Sequence, residues 1–236
     1  MIYIIGIGPG NDIDYLTLKA FKTIKSADIG IYIGEMIGEG IKELFKNKEL
    51  KTGRNIDKTK VKSIINNAYK KDKKIALLMP GDTSVYSGQF NEQYAVNEYI
   101  NFFNKNNYKF EIIPGISSMN ALCAKSKIDL TAFTNSQNIF TTSIERLKDI
   151  KQFNETEIKK ILSTKPNIIF YQSYRDWQLI KELLAENYKP NTKIVFAFKI
   201  SWKDEIIIET SLENAEKDIK GKELNKHTII IILQKI

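Results

Sequence analysis

The feature that most constrains the fold is a series of short apolar runs in the first half of the chain, separated by longer amphipathic stretches. The runs cover residues 2–7, 28–33, 74–79 and 109–113. Runs of this length, bounded by glycine and proline, are typical of buried strands, and the stretches between them are long enough for helices. The alternation predicts βαβ units, and hence an α/β fold with a mostly parallel sheet and flanking helices.

The first helix can be assigned from its periodicity. Leu16, Ala20, Ile24 and Ala27 recur at near-helical spacing. This pattern predicts a helix near residues 17–26 that covers one face of the sheet, and Thr17 is a suitable N-cap for it.

The second half changes character after Pro114-Gly115, which ends the fourth run and precedes two serines that can cap a helix, Ser117 and Ser118. We place a domain boundary here and predict two α/β domains, residues 1–114 and 115–236. The second sheet should be mixed, because its third and fourth strands are close enough in sequence to pair as antiparallel neighbours. Its predicted strands lie near residues 138–142, 167–171, 193–198, 205–208 and 227–233, and its helices near 155–163, 177–186 and 212–219.

Composition excludes several classes of protein. A chain with 42% hydrophobic and 27% charged residues is globular rather than disordered. No segment approaches the roughly 20 consecutive apolar residues that a bilayer span needs, so no membrane association is expected. The first residues read as a strand and not as a secretory signal, so a cytoplasmic location is expected.

Cysteine and histidine are almost absent, with only Cys123 and His227 in the chain. A single cysteine cannot form an internal disulfide, and a zinc site of the common Cys/His type is almost excluded. We therefore expect no metal site and interpret both residues as structural, with His227 at the start of a strand. A Ser-His-Asp or Cys-His enzyme would depend on His227 alone.

The net charge of +8 does not by itself indicate a nucleic-acid-binding protein, because 28 acidic residues are interspersed with 36 basic ones. The densest basic cluster is Lys70, Lys71, Lys73 and Lys74. Two interpretations stay open: a solvated helix end, where cations complement the helix dipole, or a field that attracts a polyanionic small molecule.

The first strand leads into Gly6-Ile7-Gly8-Pro9-Gly10. A dinucleotide-binding fingerprint needs a third glycine where Asn11 stands, and Pro9 removes a backbone donor for phosphate. A Walker loop fails as well, because no Gly-Lys-Ser/Thr follows. The glycines serve either a tight turn alone or a ligand site, and a nicotinamide-dependent oxidoreductase is a weakly supported alternative.

Two further loops end predicted parallel strands, one over residues 80–86 and one over residues 113–118. The first contains a Gly-Asp pair, which allows close backbone approach and adds one carboxylate, and the second contains two hydroxyls. Open α/β sheets bind ligands at the carboxyl ends of their strands, so three glycine-bearing loops should face one crevice. The alternative for each loop is a capped turn.

The three loops together carry a resemblance that none carries alone. The order and spacing of GIGPG, PGDTSVYSGQFNEQ and IPGISS resemble the tetrapyrrole (corrin and porphyrin) methyltransferase family, and the likeness runs from end to end. It implies two α/β domains with S-adenosylmethionine held in the cleft between them, a tetrapyrrole substrate and a homodimer.

Within that family, several segments resemble the precorrin-4 and cobalt-precorrin-4 carbon-11 methyltransferases of cobalamin synthesis. These are residues 31–37, 130–131, 136–137, 141–142 and the Ser-Trp-Lys-Asp-Glu of 201–205. The chain departs from the family pattern where Thr83 replaces the usual proline and Gln172 replaces an apolar contact, and its last strand ends in Leu233-Gln234. Methylation at carbon 17 or 20, and a non-catalytic binding protein with this fold, stay open as alternatives.

The resemblance also implies site residues. Substrate contacts are expected at Gly8, Gly10 and Tyr86, with Arg54 and Arg175 as candidate partners of substrate carboxylates. Methyl transfer from a sulfonium can rely on alignment and exclusion of water, so no catalytic acid or base is assigned. Cofactor contacts are expected at Pro9, Pro80, Gly81, Asp82, Val85, Ser117, Ser118, Gln172, Ile200 and Thr228.

Overall fold

The computed structural model describes residues 1–10, 12–52, 58–85, 96–131, 137–149 and 151–234. Its strands and helices divide between two compact units. The first unit comprises Met1–Ala121 together with Ser201–Lys203, and the second comprises Leu122–Ile200 together with Asp204–Ile236. The predicted division after residue 114 stays a prediction about domain organisation.

The first unit contains a five-stranded parallel sheet in the order β3-β2-β4-β1-β5. The predicted strands are confirmed, whereas α2 and β3 were not predicted, because they are short and carry no clear periodicity. The elements are β1 Ile2–Gly6, α1 Leu18–Ser26, β2 Ile29–Tyr32, α2 Glu39–Glu43, β3 Glu49–Lys51, α3 Lys58–Tyr69, β4 Ile75–Met79, α4 Val96–Lys105 and β5 Phe110–Ile113. Helix α5, Ser118–Lys125, follows this sheet.

Both faces of the first sheet are covered, as continuous apolar strands require. Alternate residues of β1 show this: Ile2 and Ile4 pack in a cluster with α3 and α4. Ile5 belongs to the cluster that contains the buried face of α1. The predicted cap of α1 is confirmed, since the Thr17 hydroxyl accepts a hydrogen bond from the Ala20 amide at 3.1 Å.

The second unit contains a mixed sheet in the order β6-β7-β10-β8-β9. Only β6 and β7 are parallel, and the predicted antiparallel pairing of β8 with β9 is confirmed. The predicted fold class, a parallel first sheet and a mixed second one with flanking helices, is therefore confirmed. The elements are β6 Ile139–Thr142, α6 Ile144–Asp149, α7 Glu155–Ser163, β7 Asn167–Tyr171, a 3₁₀ turn Tyr174–Asp176, α8 Trp177–Ala185, β8 Lys193–Phe198, β9 Ile206–Ser211, α9 Ala215–Ile219 and β10 Thr228–Leu233.

One predicted helix was placed too early. The pattern predicted helix from residue 212, but α9 begins at Ala215. The Leu212 amide donates to the Thr192 carbonyl and the Glu213 amide donates to the Pro190 carbonyl, so these two residues continue the pairing of β9 with β8 before the helix begins. Among the helices of the described residues, none has the length and apolarity that a bilayer crossing needs.

Candidate functional site

The loops after β1 and β4 extend the pairing of their strands. The Ile7 amide donates to the Met79 carbonyl at 2.9 Å. Gly8 and Gly81 then exchange two backbone hydrogen bonds, of 3.1 and 2.9 Å. The first two predicted loops therefore lie side by side at the carboxyl end of the sheet.

The loop after β5 joins them through contacts that only glycine permits. A Cβ atom on Gly115 would lie 2.3 Å from the Gly81 carbonyl oxygen, and one on Gly6 would lie 2.6 Å from the Gly115 amide nitrogen. Any side chain at either position would force the loops apart. The prediction that the three loops converge is confirmed, and Gly6 and Gly115 are residues that the sequence prediction missed.

Asp82 ties the second and third loops together. Its Oδ1 atom accepts from the amides of Ser84 at 2.7 Å and Val85 at 2.9 Å. Its Oδ2 atom accepts from the Gly115 amide at 2.9 Å. Because Asp82 is only 8% exposed, its carboxylate stabilises the loop conformation through these charge-assisted bonds.

Gly81 presents an open face at this junction. It adopts a left-handed conformation with φ of +70°, and no heavy atom of the described residues lies within 4 Å of a Cβ built on it. Val85, four residues further along the chain, is 40% exposed. A ligand that approaches the Gly81 backbone closely would therefore meet no side chain of the part of the chain that the structure describes.

Thr83 carries an unsatisfied polar group beside that face. Its side chain is 2% exposed, and its hydroxyl has no hydrogen-bond partner among the described residues. Buried hydroxyls are usually paired, so an orphan next to an open glycine is an unusual feature of this loop.

The serines of the third loop have distinct positions. The Ser117 hydroxyl accepts from the Met119 amide at 3.3 Å and caps α5. Ser117 is one of the two serines that were predicted as candidates for this cap. Ser118 is the first residue of that helix and is partly exposed. The loop is also held from α1, because the Thr17 hydroxyl donates to the Pro114 carbonyl at 3.4 Å.

The first loop is shaped by its own close contacts. A Cβ on Gly8 would lie 2.6 Å from the Tyr15 Cβ, and one on Gly10 would lie 2.4 Å from the Ser201 Cβ. Pro9, between them, is partly exposed. Both glycines have positive φ, so packing and backbone conformation each require glycine.

In the second unit, the three predicted residues that are far apart in sequence come to one edge of the sheet. Thr228 begins β10 and pairs with Phe198 near the end of β8, while the next residue of β10 pairs with Tyr171 at the end of β7. Gln172 directly follows Tyr171, and Ile200 lies two residues after Phe198. The antiparallel order of the strands thus gathers residues 172, 200 and 228.

This edge also holds unusual backbone conformations. Among the described residues, five of the eight non-glycine residues with positive φ lie two or three residues after the end of a helix, where a left-handed residue is the ordinary cap. The other three are Gln172, Lys199 and Ser201, with φ of 50°, 48° and 66°. Left-handed side-chain-bearing residues outside helix caps concentrate at functional sites.

Two polar side chains near these edges are fixed by neighbours. Tyr32 ends β2, and its hydroxyl donates to the Met36 carbonyl. Burial raises the pKa of Tyr32, and the charge of Glu35 raises it further, so the phenol stays neutral. Arg175, a candidate partner of substrate carboxylates, is paired with Glu145 at 3.0 Å.

The residues interpreted as structural lie where that interpretation predicts. His227 directly precedes β10, and Cys123 lies in α5. Burial, and to a lesser extent Asp129, raises the pKa of the Cys123 thiol to about 11. The lysines at positions 70, 71, 73 and 74 lie just after the end of α3, a position compatible with both interpretations of this cluster. Asn11, Arg54, Tyr86 and Ser136 lie outside the described residues.

The chain has a parallel sheet whose three glycine loops meet around Gly81, together with a second, mixed sheet. The family model for tetrapyrrole (corrin/porphyrin) methylases matches residues 1–216. The chain belongs to the tetrapyrrole methylase family.

The chain is also similar to individual methyltransferases of known kind. The chain is 30% identical to a cobalt-precorrin-4 C(11)-methyltransferase of Methanocaldococcus jannaschii over 233 residues, which cover 98% of this chain and 86% of the relative. A solved cobalt precorrin-4 methyltransferase, described as a cobalamin biosynthetic enzyme, matches with a TM-score of 0.85, 21% identity and coverage of 98% and 94%. A uroporphyrin-III C-methyl transferase of Thermus thermophilus, solved with S-adenyl homocysteine, matches with a TM-score of 0.73, 21% identity and coverage of 98% and 96%.

Proposed function

We propose that the chain is an S-adenosylmethionine-dependent C-methyltransferase of corrin biosynthesis that methylates precorrin-4 or cobalt-precorrin-4 at carbon 11. The observation that carries the proposal is the open, left-handed Gly81 at the junction of three strand-end loops. A cofactor can lie against this backbone because no side chain of the described residues lies within 4 Å of a Cβ built on Gly81, and the buried Thr83 hydroxyl nearby lacks a partner among those residues.

The residues that would hold the cofactor fall into two sets. In the first unit they are Pro9, the Pro80-Gly81-Asp82 segment, Val85 and the two serines at 117 and 118. In the second unit they are Gln172, Ile200 and Thr228, which share one sheet edge. When bound, S-adenosylmethionine supplies an electrophilic methyl group on a sulfonium.

The contribution of the chain itself is alignment and exclusion of water. Rigid loops help here, because a displacement reaction is accelerated when the reacting atoms are held in line. The Asp82 carboxylate and the glycine contacts make the three loops rigid. No catalytic acid or base has to be assigned among them.

The acceptor is proposed to contact Gly8 and Gly10 of the first loop and Tyr86 of the second. A corrin precursor carries many carboxylates, and the net charge of +8 favours its approach. The relative from Methanocaldococcus jannaschii supports a precorrin-4-type acceptor. Other ring carbons, 17 or 20, and a non-catalytic binding protein are the alternatives that experiments should separate.

The cofactor is tested by calorimetric titration of the purified protein. We expect S-adenosylmethionine and S-adenosylhomocysteine to bind with roughly micromolar dissociation constants, and NAD to show no comparable affinity, because Asn11 breaks the dinucleotide fingerprint. Binding of NAD without binding of S-adenosylmethionine would overturn the assignment.

The acceptor position is tested by transfer of a labelled methyl group to precorrin-4 and, separately, to cobalt-precorrin-4. NMR of the product should show the label at carbon 11. A label at carbon 17 or 20 would keep the family and reject this subfamily, and binding without transfer would favour the non-catalytic alternative. A cytoplasmic location and a homodimer stay predictions, and sedimentation measurements test the dimer.

A further inference from the structure

The two tryptophans of the chain have different environments. Trp177 lies in the core of the second unit, where its ring meets Phe196 edge-on with centroids 4.8 Å apart. Trp202 is only partly buried and belongs to none of the three core clusters formed by the described residues. A large aromatic side chain outside the core is a suitable surface for a flat, apolar ligand.

Trp202 lies at the tip of the hairpin that joins β8 to β9. Although those strands belong to the second unit, the tip, Ser201–Lys203, belongs to the first. Backbone packing holds it there, because a Cβ on Gly10 would lie 2.4 Å from the Ser201 Cβ and 2.8 Å from the Ser201 carbonyl oxygen. The tip is therefore fixed against the first glycine loop.

The first glycine loop is also hydrogen-bonded to Gly81, whose open face lies at the junction of the three loops. Gly8 exchanges backbone hydrogen bonds with Gly81, and Gly10 packs against Ser201. Residues two apart in a chain are separated by at most about 7 Å. The tip that carries Trp202 is thus a neighbour of the place where the proposed methyl donor binds.

Two lysines, Lys199 and Lys203, lie close to Trp202 in sequence. Lys199, at the base of the tip, is paired with Asp204 at 2.5 Å. Lys203 is exposed, and no carboxylate of the described residues lies within ion-pair distance of it. A partly exposed indole and an exposed ammonium group on consecutive residues suit a flat macrocycle with carboxylates at its rim.

We propose that Trp202 and Lys203 form the part of the acceptor site that recognises the tetrapyrrole, and that Trp202 helps to determine which macrocycle is accepted. The indole lies on the macrocycle, and the Lys203 ammonium pairs with a peripheral carboxylate. This inference rests on the proposed function, since it assigns the recognition of the acceptor in that reaction.

The test compares Trp202→Ala, Trp202→Phe and Lys203→Ala with a matched control, Lys189→Ala. Lys189 is exposed and precedes β8, whereas the tip follows β8, so the control lies at the opposite end of that strand. With saturating S-adenosylmethionine, Trp202→Ala should raise the KM for cobalt-precorrin-4 about tenfold and change kcat much less, because stacking acts on binding. Trp202→Phe should restore most of the affinity, Lys203→Ala should raise KM about fivefold, and the control should match the wild type.

Cofactor affinity and melting temperature, measured on the same variants, should stay at wild-type values. A wild-type KM in both Trp202→Ala and Lys203→Ala would overturn the inference and leave the proposed function intact. If the wild type methylates no tetrapyrrole, the proposed function fails, and binding of uroporphyrin as a polycarboxylate macrocycle decides the inference. Binding that Trp202→Ala weakens about tenfold would support it, whereas equal binding, or none to the wild type, would reject it.

Discussion

The two sheets end in loops that reach left-handed conformations by different means. In the first unit the positive-φ positions of the strand-end loops are glycines, at 8, 10 and 81. In the second unit the corresponding positions, after β7 and β8, carry the side chains of Gln172 and Lys199. Glycine accepts this conformation without steric cost, whereas a residue with a Cβ loses roughly 1–2 kcal/mol.

This difference between glycine and side-chain-bearing residues indicates a different role for the strand-end loops of each sheet. Glycines in the first unit let three backbones approach each other and leave the Gly81 face open. In the second unit, the ends of β7 and β8 flank the start of β10, and the pairing of these strands holds Gln172 and Lys199 in unfavourable conformations. Such strain persists only where surrounding structure over-determines it, and ligand sites are the usual location.

The largest expected effect is on ligand binding by Gly81→Leu. The leucine side chain would fill the open face, so S-adenosylmethionine affinity should fall more than about 100-fold. Gly221→Leu is the matched control, because Gly221 has φ of +75° and equally open surroundings. Both variants should lose about 1–3 kcal/mol of stability from backbone strain, but only Gly81→Leu should lose the ligand. Equal affinities, corrected for folded fraction and measured by calorimetry, would show that this loop is not the cofactor site.

The next effect is on stability, through Gly115→Ala. The added methyl group would lie 2.3 Å from the Gly81 carbonyl oxygen, so the loops must separate at a cost of about 3 kcal/mol. Denaturant unfolding measures this loss. Gly221→Ala, which adds the same methyl group in open space, should cost roughly 1–2 kcal/mol through backbone conformation alone. If both variants unfold at the same denaturant concentration, the three-loop contact does not stabilise the first unit.

Asp82→Asn should have a smaller effect. The amide keeps one acceptor oxygen but replaces the other with a donor, which faces backbone amides that also donate. Loss of charge-assisted hydrogen bonds at this buried position should destabilise the protein by about 2 kcal/mol. Asp129→Asn is the control, because Asp129 is exposed and its Oδ1 atom accepts from the amide and the hydroxyl of Thr131, two residues away in sequence; its cost should stay below about 0.5 kcal/mol. Thermal unfolding compares the two, and equal shifts would contradict a special role for Asp82.

The smallest expected effect is on stability, through Gln172→Gly at the strand-end edge of the second sheet. Gln172→Gly removes the left-handed penalty and should raise stability by about 0.5–1 kcal/mol after the entropy of glycine in the unfolded chain is subtracted. If Gln172 contacts the cofactor, the same variant should bind S-adenosylmethionine more weakly. Lys165→Gly, at an ordinary helix-end position with φ of 51°, should give the stability gain without the loss of affinity. A stability loss in Gln172→Gly would show that the conformation is not strained.

Local sequence patterns were sufficient for most elements of the fold. Four of the five strands of the first sheet follow from short apolar runs, the start of α1 from Thr17, and the β8–β9 hairpin from the short spacing between its strands. The three loops were predicted to converge because parallel strands place their carboxyl ends at one edge. Each of these depends on residues close in sequence or on a general rule of sheet topology.

Other features were decided only by the tertiary structure. Nothing local to Gly6 or Gly115 indicates that their backbones touch, since the two positions are brought together by the pairing of β1 with β5. The strand order β7-β10-β8, which brings Gln172, Ile200 and Thr228 to one edge, joins segments distant in sequence and has no local signal. The left-handed conformations of Gln172 and Lys199 are unpredictable for the same reason: residue preference opposes them, and only long-range strand pairing holds them in place.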